Sequence, residues 1–99
     1  TIANPRQAET FIANGIRKKG FSVIEVVTHC HTQFGRKNNR RLPIENYKYF
    51  KENSIPLALA KDKSPEELAD KIVCGEFVNK DTPEYTEQYK KLVIDKARG

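Results

Sequence analysis

Apolar positions recur with a helical period at the start of the chain: Ala8, Phe11, Ile12, Gly15 and Ile16 fall on one face. Asn4-Pro5 marks the start of that helix. Asn4 suits the cap, Pro5 the first helical position, and Gln7 completes a capping-box spacing. Arg17, Lys18 and Lys19 suit the negative end of the helix dipole, and Gly20 stops the helix. The period then changes. Phe21 to Thr28 is β-branched and almost continuously apolar, broken by Ser22 and Glu25. Strict alternation would mark a half-exposed strand, whereas this pattern predicts a strand covered on both faces. Helix, glycine and buried strand make one half of a βαβ unit, so the expected class is α/β with a parallel sheet. Only 21–28 is a strong strand candidate, and its neighbours must come from elsewhere.

The remaining pattern predicts short elements. Residues 29–42 read as a polar, basic loop rich in turn formers (Gly35, Asn38, Asn39). Pro43 opens a helix in which Ile44, Tyr47 and Phe50 share a face, ending near Asn53. Pro56-Leu57-Ala58-Leu59 reads as extended or as a weak strand. Ser64-Pro65-Glu66-Glu67 is a second capped helix start, with Leu68 and Ile72 as its apolar face. Ile72 to Val78 is a candidate strand with Gly75 as a bulge, and Thr82-Pro83-Glu84 opens a last helix carrying Tyr85, Tyr89 and Leu92. No internal repeat, signal-peptide core or membrane-spanning apolar run is present.

Composition changes that picture in one respect. Apolar residues are 37% of the 99, and adding the five glycines still leaves the chain short of the roughly 45–50% of an average globular domain. A chain this short buries only about 60–68% of its unfolded surface when well built. With Thr1 at its start and no methionine, the sequence is expected to be a processed piece of something longer. The charge of +5 is uneven. Residues 1–50 carry nine Lys/Arg against Glu9, Glu25 and Glu45, while residues 51–99 carry nine against ten acids. Arg36, Lys37, Arg40 and Arg41 concentrate the excess. Such a patch suits phosphates, an acidic partner or nucleic acid, or is simply a solvated loop. A small basic nucleic-acid-binding module, with Tyr47, Tyr49 and Phe50 near the patch, is the alternative function, although no recognised nucleic-acid-binding motif is present. Two cysteines are too few for a disulfide framework, so the expected address is a reducing cytoplasm.

The unusual segment is Thr28-His29-Cys30-His31-Thr32-Gln33-Phe34-Gly35-Arg36, just past the carboxyl end of the expected strand, where open α/β sheets collect ligands. Three readings compete on the residues alone. Cys30 is an inert thiol beside two incidental histidines. Or His29, Cys30 and His31 hold zinc or copper, against which stand the alternation of adjacent side chains and the lack of a second ligand cluster. Or Cys30 is one thiolate of an iron–sulfur cluster completed from outside the chain.

Gly20-Phe21-Ser22-Val23-Ile24-Glu25-Val26, followed by Cys30-His31-Thr32 and Gly35-Arg36-Lys37-Asn38, resembles the β subunit of 2-oxoacid:ferredoxin oxidoreductases, most closely the 2-oxoglutarate type. There a sheet strand runs into a Cys-Pro-Thr turn and then a Gly-Arg-basic-Asn segment. The resemblance extends through Pro43 to Phe50 and the tail around Gly75-Glu76-Phe77-Val78 and Tyr85. It implies a C-terminal fragment: 1–42 the end of a thiamine-diphosphate-binding α/β domain with the cluster-ligand loop, 43–99 a mostly helical C-terminal region. It implies thiamine diphosphate, magnesium and a [4Fe–4S] cluster as cofactors. CoA, a 2-oxoacid, ferredoxin, the rest of the β subunit and an α subunit are the implied partners, with no membrane. Cys30 is the implied cluster ligand, and Thr32, Gly35 and Arg36 lie near the cluster or the thiamine. No catalytic residue is expected in the chain, which lacks the other three cysteines and a Gly-Asp-Gly motif and is expected to be inactive alone. The departure is that His29 and His31 flank the cysteine where relatives place proline, leaving a freer turn with more donors. Cys74 matches no ligand position and reads as a small core residue.

Overall fold

The first helix forms as its caps dictate. In a computed structural model describing residues 1–99, α1 spans Pro5–Arg17. The Asn4 side chain accepts from the Gln7 N–H at 3.4 Å, and Gly20 takes φ +97° just beyond the helix. The expected strand does not follow. Residues 21–30 form no strand and make no backbone ladder, and Phe21 and Val23 are 89% and 75% exposed. The pattern of 21–28 calls for cover on both faces and a strand on each side. This chain supplies neither, so its amides have nothing to pair with. One tie to α1 remains, from the Ser22 hydroxyl to the Gly15 carbonyl at 2.9 Å. Beside it, Ile2, Ala8, Ile12, Ile16 and Val26 border an apolar trough left open along α1.

The basic segment is more ordered than a loop. Phe34–Lys37 is a single helical turn, α2, closed when Asn38 donates from both its N–H and its side chain to the Phe34 carbonyl. Asn39 reverses the chain at φ 57°, a conformation asparagine tolerates. The helix expected from Pro43 is α3, Pro43–Asn53. The Glu45 carboxylate turns back to accept from the Leu42 N–H at 3.1 Å, making the half of a capping box available where Leu42 has no acceptor of its own.

Beyond α3 lies the one ladder in the chain. β1 (Ser54–Pro56) pairs in parallel with β2 (Ile72–Cys74), Ile55 opposite Val73. The crossover contains two short helices, α4 (Leu57–Ala60) and α5 (Pro65–Leu68). Leu57 to Leu59 is thus helical, not extended, because Pro56 ends the strand and fixes an N-terminal φ. α5 is held by the expected reciprocal cap. Ser64 Oγ accepts from the Glu67 N–H, and Glu67 accepts from the Ser64 N–H at 2.9 Å. The second strand stops at Cys74, half-buried and short of the expected Val78. The last helix begins at α6 (Tyr85–Tyr89), capped by the Glu84 carboxylate, widens into a π-helical turn at Lys90–Ile94 and ends as α7 (Asp95–Arg98). Lys18 and Lys19 at the end of α1 pair with Asp81 and Glu87, which brings the two termini's helices together.

These elements do not enclose a core. Only Gly35, Asn46, Phe50 and Ala60 are buried, and the chain measures 66 × 35 × 23 Å. Its radius of gyration is 19.6 Å, against about 13 Å for a compact domain of this length. Three of the four buried residues pack at one place, where the 29–42 segment meets α3.

Candidate functional site

Cys30 sits at that place, exposed, at the entry to a tight turn. Its backbone carbonyl accepts from the Gly35 N–H at 2.8 Å, and the Gly35 carbonyl accepts from the Arg40 N–H at 2.8 Å. The Arg40 carbonyl in turn accepts from Asn46 Nδ2 at 2.8 Å, and the Leu42 carbonyl from the same nitrogen at 3.2 Å. Asn46 is 1% exposed, so a buried amide on α3 anchors a relay of hydrogen bonds that ends at Cys30. Gly35 is required by space. A Cβ there would lie 2.2 Å from the Arg40 carbonyl oxygen.

The sulfur has its own donors. Cys30 Sγ lies 3.2 Å from Thr32 Oγ1 and accepts from the Gln33 N–H at 3.5 Å. The Thr32 hydroxyl, followed by the Gln33, Thr32 and Phe34 amides, pulls the thiol from its ordinary 9.0 down to about 7. These bonds favour the anion, which is the form that binds metals and attacks electrophiles. Behind Cys30, the His29 ring lies 6.0 Å from Phe50, itself 5.6 Å edge-on from Tyr49. His29 Nδ1 is buried without a partner. The Arg40 guanidinium stacks on the Tyr49 ring at 3.8 Å.

The structure thus brings Cys30, Thr32 and Gly35 together, and it places Arg36 with His31 and Thr32 around an open depression. Cys74, on β2, is no part of this site. Asn46 was missed by sequence reading, since a polar residue in a short helix carries no pattern that marks it as buried. No group of three His, Cys, Asp or Glu side chains is gathered here, and the His29 and His31 rings lie 6.2 Å apart. The nucleic-acid reading gains no support. Phe50 is buried and Arg40 covers one face of Tyr49, which leaves Tyr47 as the exposed ring of the three.

No protein-family model matches the chain, and no solved structure matches it. Curated relatives do. The chain is 50% identical over 93 residues to the 2-oxoglutarate synthase subunit KorB of Methanocaldococcus jannaschii, covering 94% of this chain and 34% of that protein. It is 40% identical over 97 residues to the subunits of the same name from Methanothermobacter thermautotrophicus and Methanothermobacter marburgensis, covering 98% of this chain and 34% of each. The chain therefore spans about a third of the length of the curated relatives it matches. The exposed 21–28 segment and the site at Cys30 both lie inside that stretch, and over nearly its whole length the chain is a homologue of one third of the 2-oxoglutarate synthase subunit KorB.

Proposed function

We propose that the chain works as the C-terminal third of a KorB subunit, within an enzyme that converts 2-oxoglutarate to succinyl-CoA and passes the electrons to ferredoxin. In this reading residues 1–42 finish the thiamine-diphosphate-binding domain and residues 43–99 form the C-terminal region. Thiamine diphosphate, magnesium and the substrates rest on the remainder of the subunit and on its partners, in the cytoplasm. No helix here is long and apolar enough to cross a membrane. Cys30 is the residue this chain contributes, as one thiolate of a [4Fe–4S] cluster whose function is to carry electrons away from the reacting carbons.

The observation that carries this assignment is the state of the Cys30 sulfur. It is exposed, favoured as the anion, and held on a turn clamped from α3. A cluster ligand needs a sulfur that can be reached and a backbone that holds it in place, and a thiol that ionises readily gives up its proton on coordination at less cost. The chain offers no further thiolate nearby, so the donor set fits one corner of a cluster and not a complete site. The Gln33 N–H and the Thr32 hydroxyl aim at the sulfur, and donors to ligand sulfur raise a cluster's potential. Gly35 keeps the turn tight enough for both donors, and Arg36 adds positive charge alongside.

The test is Cys30→Ala in the assembled enzyme. The expected result is loss of the reduced-cluster EPR signal, iron content below four per subunit, and no ferredoxin reduction. A variant that keeps four irons and an unchanged EPR signal overturns the ligand assignment.

A further inference from the structure

Between the Cys30 turn and the start of α3 lies an open depression of about 600 Å³. His31, Thr32, Arg36, Asn39 and Arg41 line it, with Glu45 as its single acid. Its two arginines outnumber that acid. The chain's three ion pairs join Lys18 to Asp81, Lys19 to Glu87 and Lys63 to Glu67, so neither arginine has a carboxylate partner. Glu45 keeps its charge while its Oε2 accepts from the Leu42 N–H, so the two guanidiniums stand against one carboxylate in the lining. Arg40, between them in sequence, is spent on Tyr49.

The frame behind the depression is fixed. Asn46, buried on α3, donates to the carbonyls of Arg40 and Leu42, the two residues that flank Arg41. Two guanidinium forks, a hydroxyl, an amide and an imidazole thus border one volume of the size that holds small ligands. Guanidinium forks match the oxygens of carboxylates and phosphates, and such charge-assisted bonds are stronger than neutral ones. Two guanidiniums against one carboxylate leave a net positive charge, which attracts an anion to the space between them.

We infer that this depression is a binding site for an oxyanion, the carboxylate or phosphate group of a small molecule, held between Arg36 and Arg41 with Thr32 and Asn39 as neutral donors. It goes beyond the cluster assignment and stands on side chains that need no cluster to hold an anion.

The test is isothermal titration of the holoenzyme at low salt with inorganic pyrophosphate and, separately, with glutarate. The Arg36→Gln/Arg41→Gln double variant is compared with the unaltered protein. Arg6→Gln, on the far end of α1, is the control. The expected result is one binding event per chain for one of the two probes, weakened tenfold or more in the double variant and unchanged in Arg6→Gln. Arg41→Lys keeps the charge without the fork, so it loses part of that affinity and covers the case of a double variant that unfolds. Preference for pyrophosphate assigns a phosphate ligand, and preference for glutarate a carboxylate. Equal binding by the unaltered protein, the double variant and Arg41→Lys, or no binding of either probe, overturns the site. The cluster's EPR signal is read independently, so anion binding in a protein whose Cys30 proves not to be a ligand would leave this site standing.

Discussion

Gly35→Ala is the sharpest perturbation of the Cys30 turn. The added methyl would lie 2.2 Å from the Arg40 carbonyl oxygen, where ordinary contact begins at 3.4 Å. The obstacle is backbone, so no side chain can rotate to relieve it. Either the Arg40 carbonyl or Gly35 itself moves by about 1 Å, a displacement of the size that overpacking forces at a cost of roughly 1–3 kcal/mol. Three hydrogen bonds of 2.8 Å converge on these two residues, from Gly35 to Cys30, from Arg40 to Gly35 and from Asn46 to Arg40. Each contributes about 0.5–1.5 kcal/mol net, and alanine returns about 0.4–1 kcal/mol by restricting the unfolded chain. The net loss is therefore about 2–3 kcal/mol, local to the turn. Hydrogen exchange by mass spectrometry on the assembled protein reads it directly. Peptides covering 31–42 should exchange roughly 30- to 150-fold faster, while peptides from α5 and β2 keep their rates. Unchanged exchange across 31–42 would refute the relay from Asn46 to Cys30, because the clash has no other outlet.

Two further outcomes follow from the site. Before a cluster is assembled, stopped-flow alkylation should show Cys30 reacting with a midpoint near pH 7, below its ordinary 9.0. Thr32→Val removes the largest cause and should move that midpoint upward, so a midpoint unmoved by the substitution would contradict the geometry at the sulfur. Phe50, 5% exposed between His29 and Tyr49, is the one large apolar side chain the chain buries; Phe50→Ala should cost about 3 kcal/mol at this junction. Differential scanning calorimetry of the assembled protein would report it, and a melting temperature within 1 °C of the parent's would show that the junction carries no stability.

Local chemistry was legible wherever the partners lie a few residues apart. Asn4 caps α1, Ser64 and Glu67 cap each other, and Pro43 opens α3, because each depends only on its neighbours along the chain. The sequence reading of 21–28 as a strand covered on both faces rested on its apolar, β-branched pattern alone. It failed as a statement about this chain, because a parallel strand draws its hydrogen bonds from strands that the 99 residues do not contain. Leu57–Leu59 was misread for a different reason. Two leucines and an alanine favour a helix once Pro56 has ended the strand, and an apolar run of four cannot distinguish the two states. Cys30, Thr32, Gly35 and Arg36 stand close in sequence, so a local turn is enough to bring them together. Asn46 was not, because its role depends on a chain reversal at Asn39 that brings two distant carbonyls to one amide.

The uncovered run from Phe21 to Thr28 also bears on how such a polypeptide fares before it finds its complement. Its amides and carbonyls make no backbone bonds to the rest of the chain, and its side chains are ones that pair well across sheets. A stretch of this kind is a template for pairing with any copy of itself. Made without the strands it is built to join, the polypeptide should attract holdase chaperones and, at high concentration, deposit as β-rich aggregate. Co-synthesis with those strands would remove the hazard by capping both edges at once. The apolar, β-branched residues that favour pairing on both edges are thus the ones that make the segment unsafe to leave uncovered.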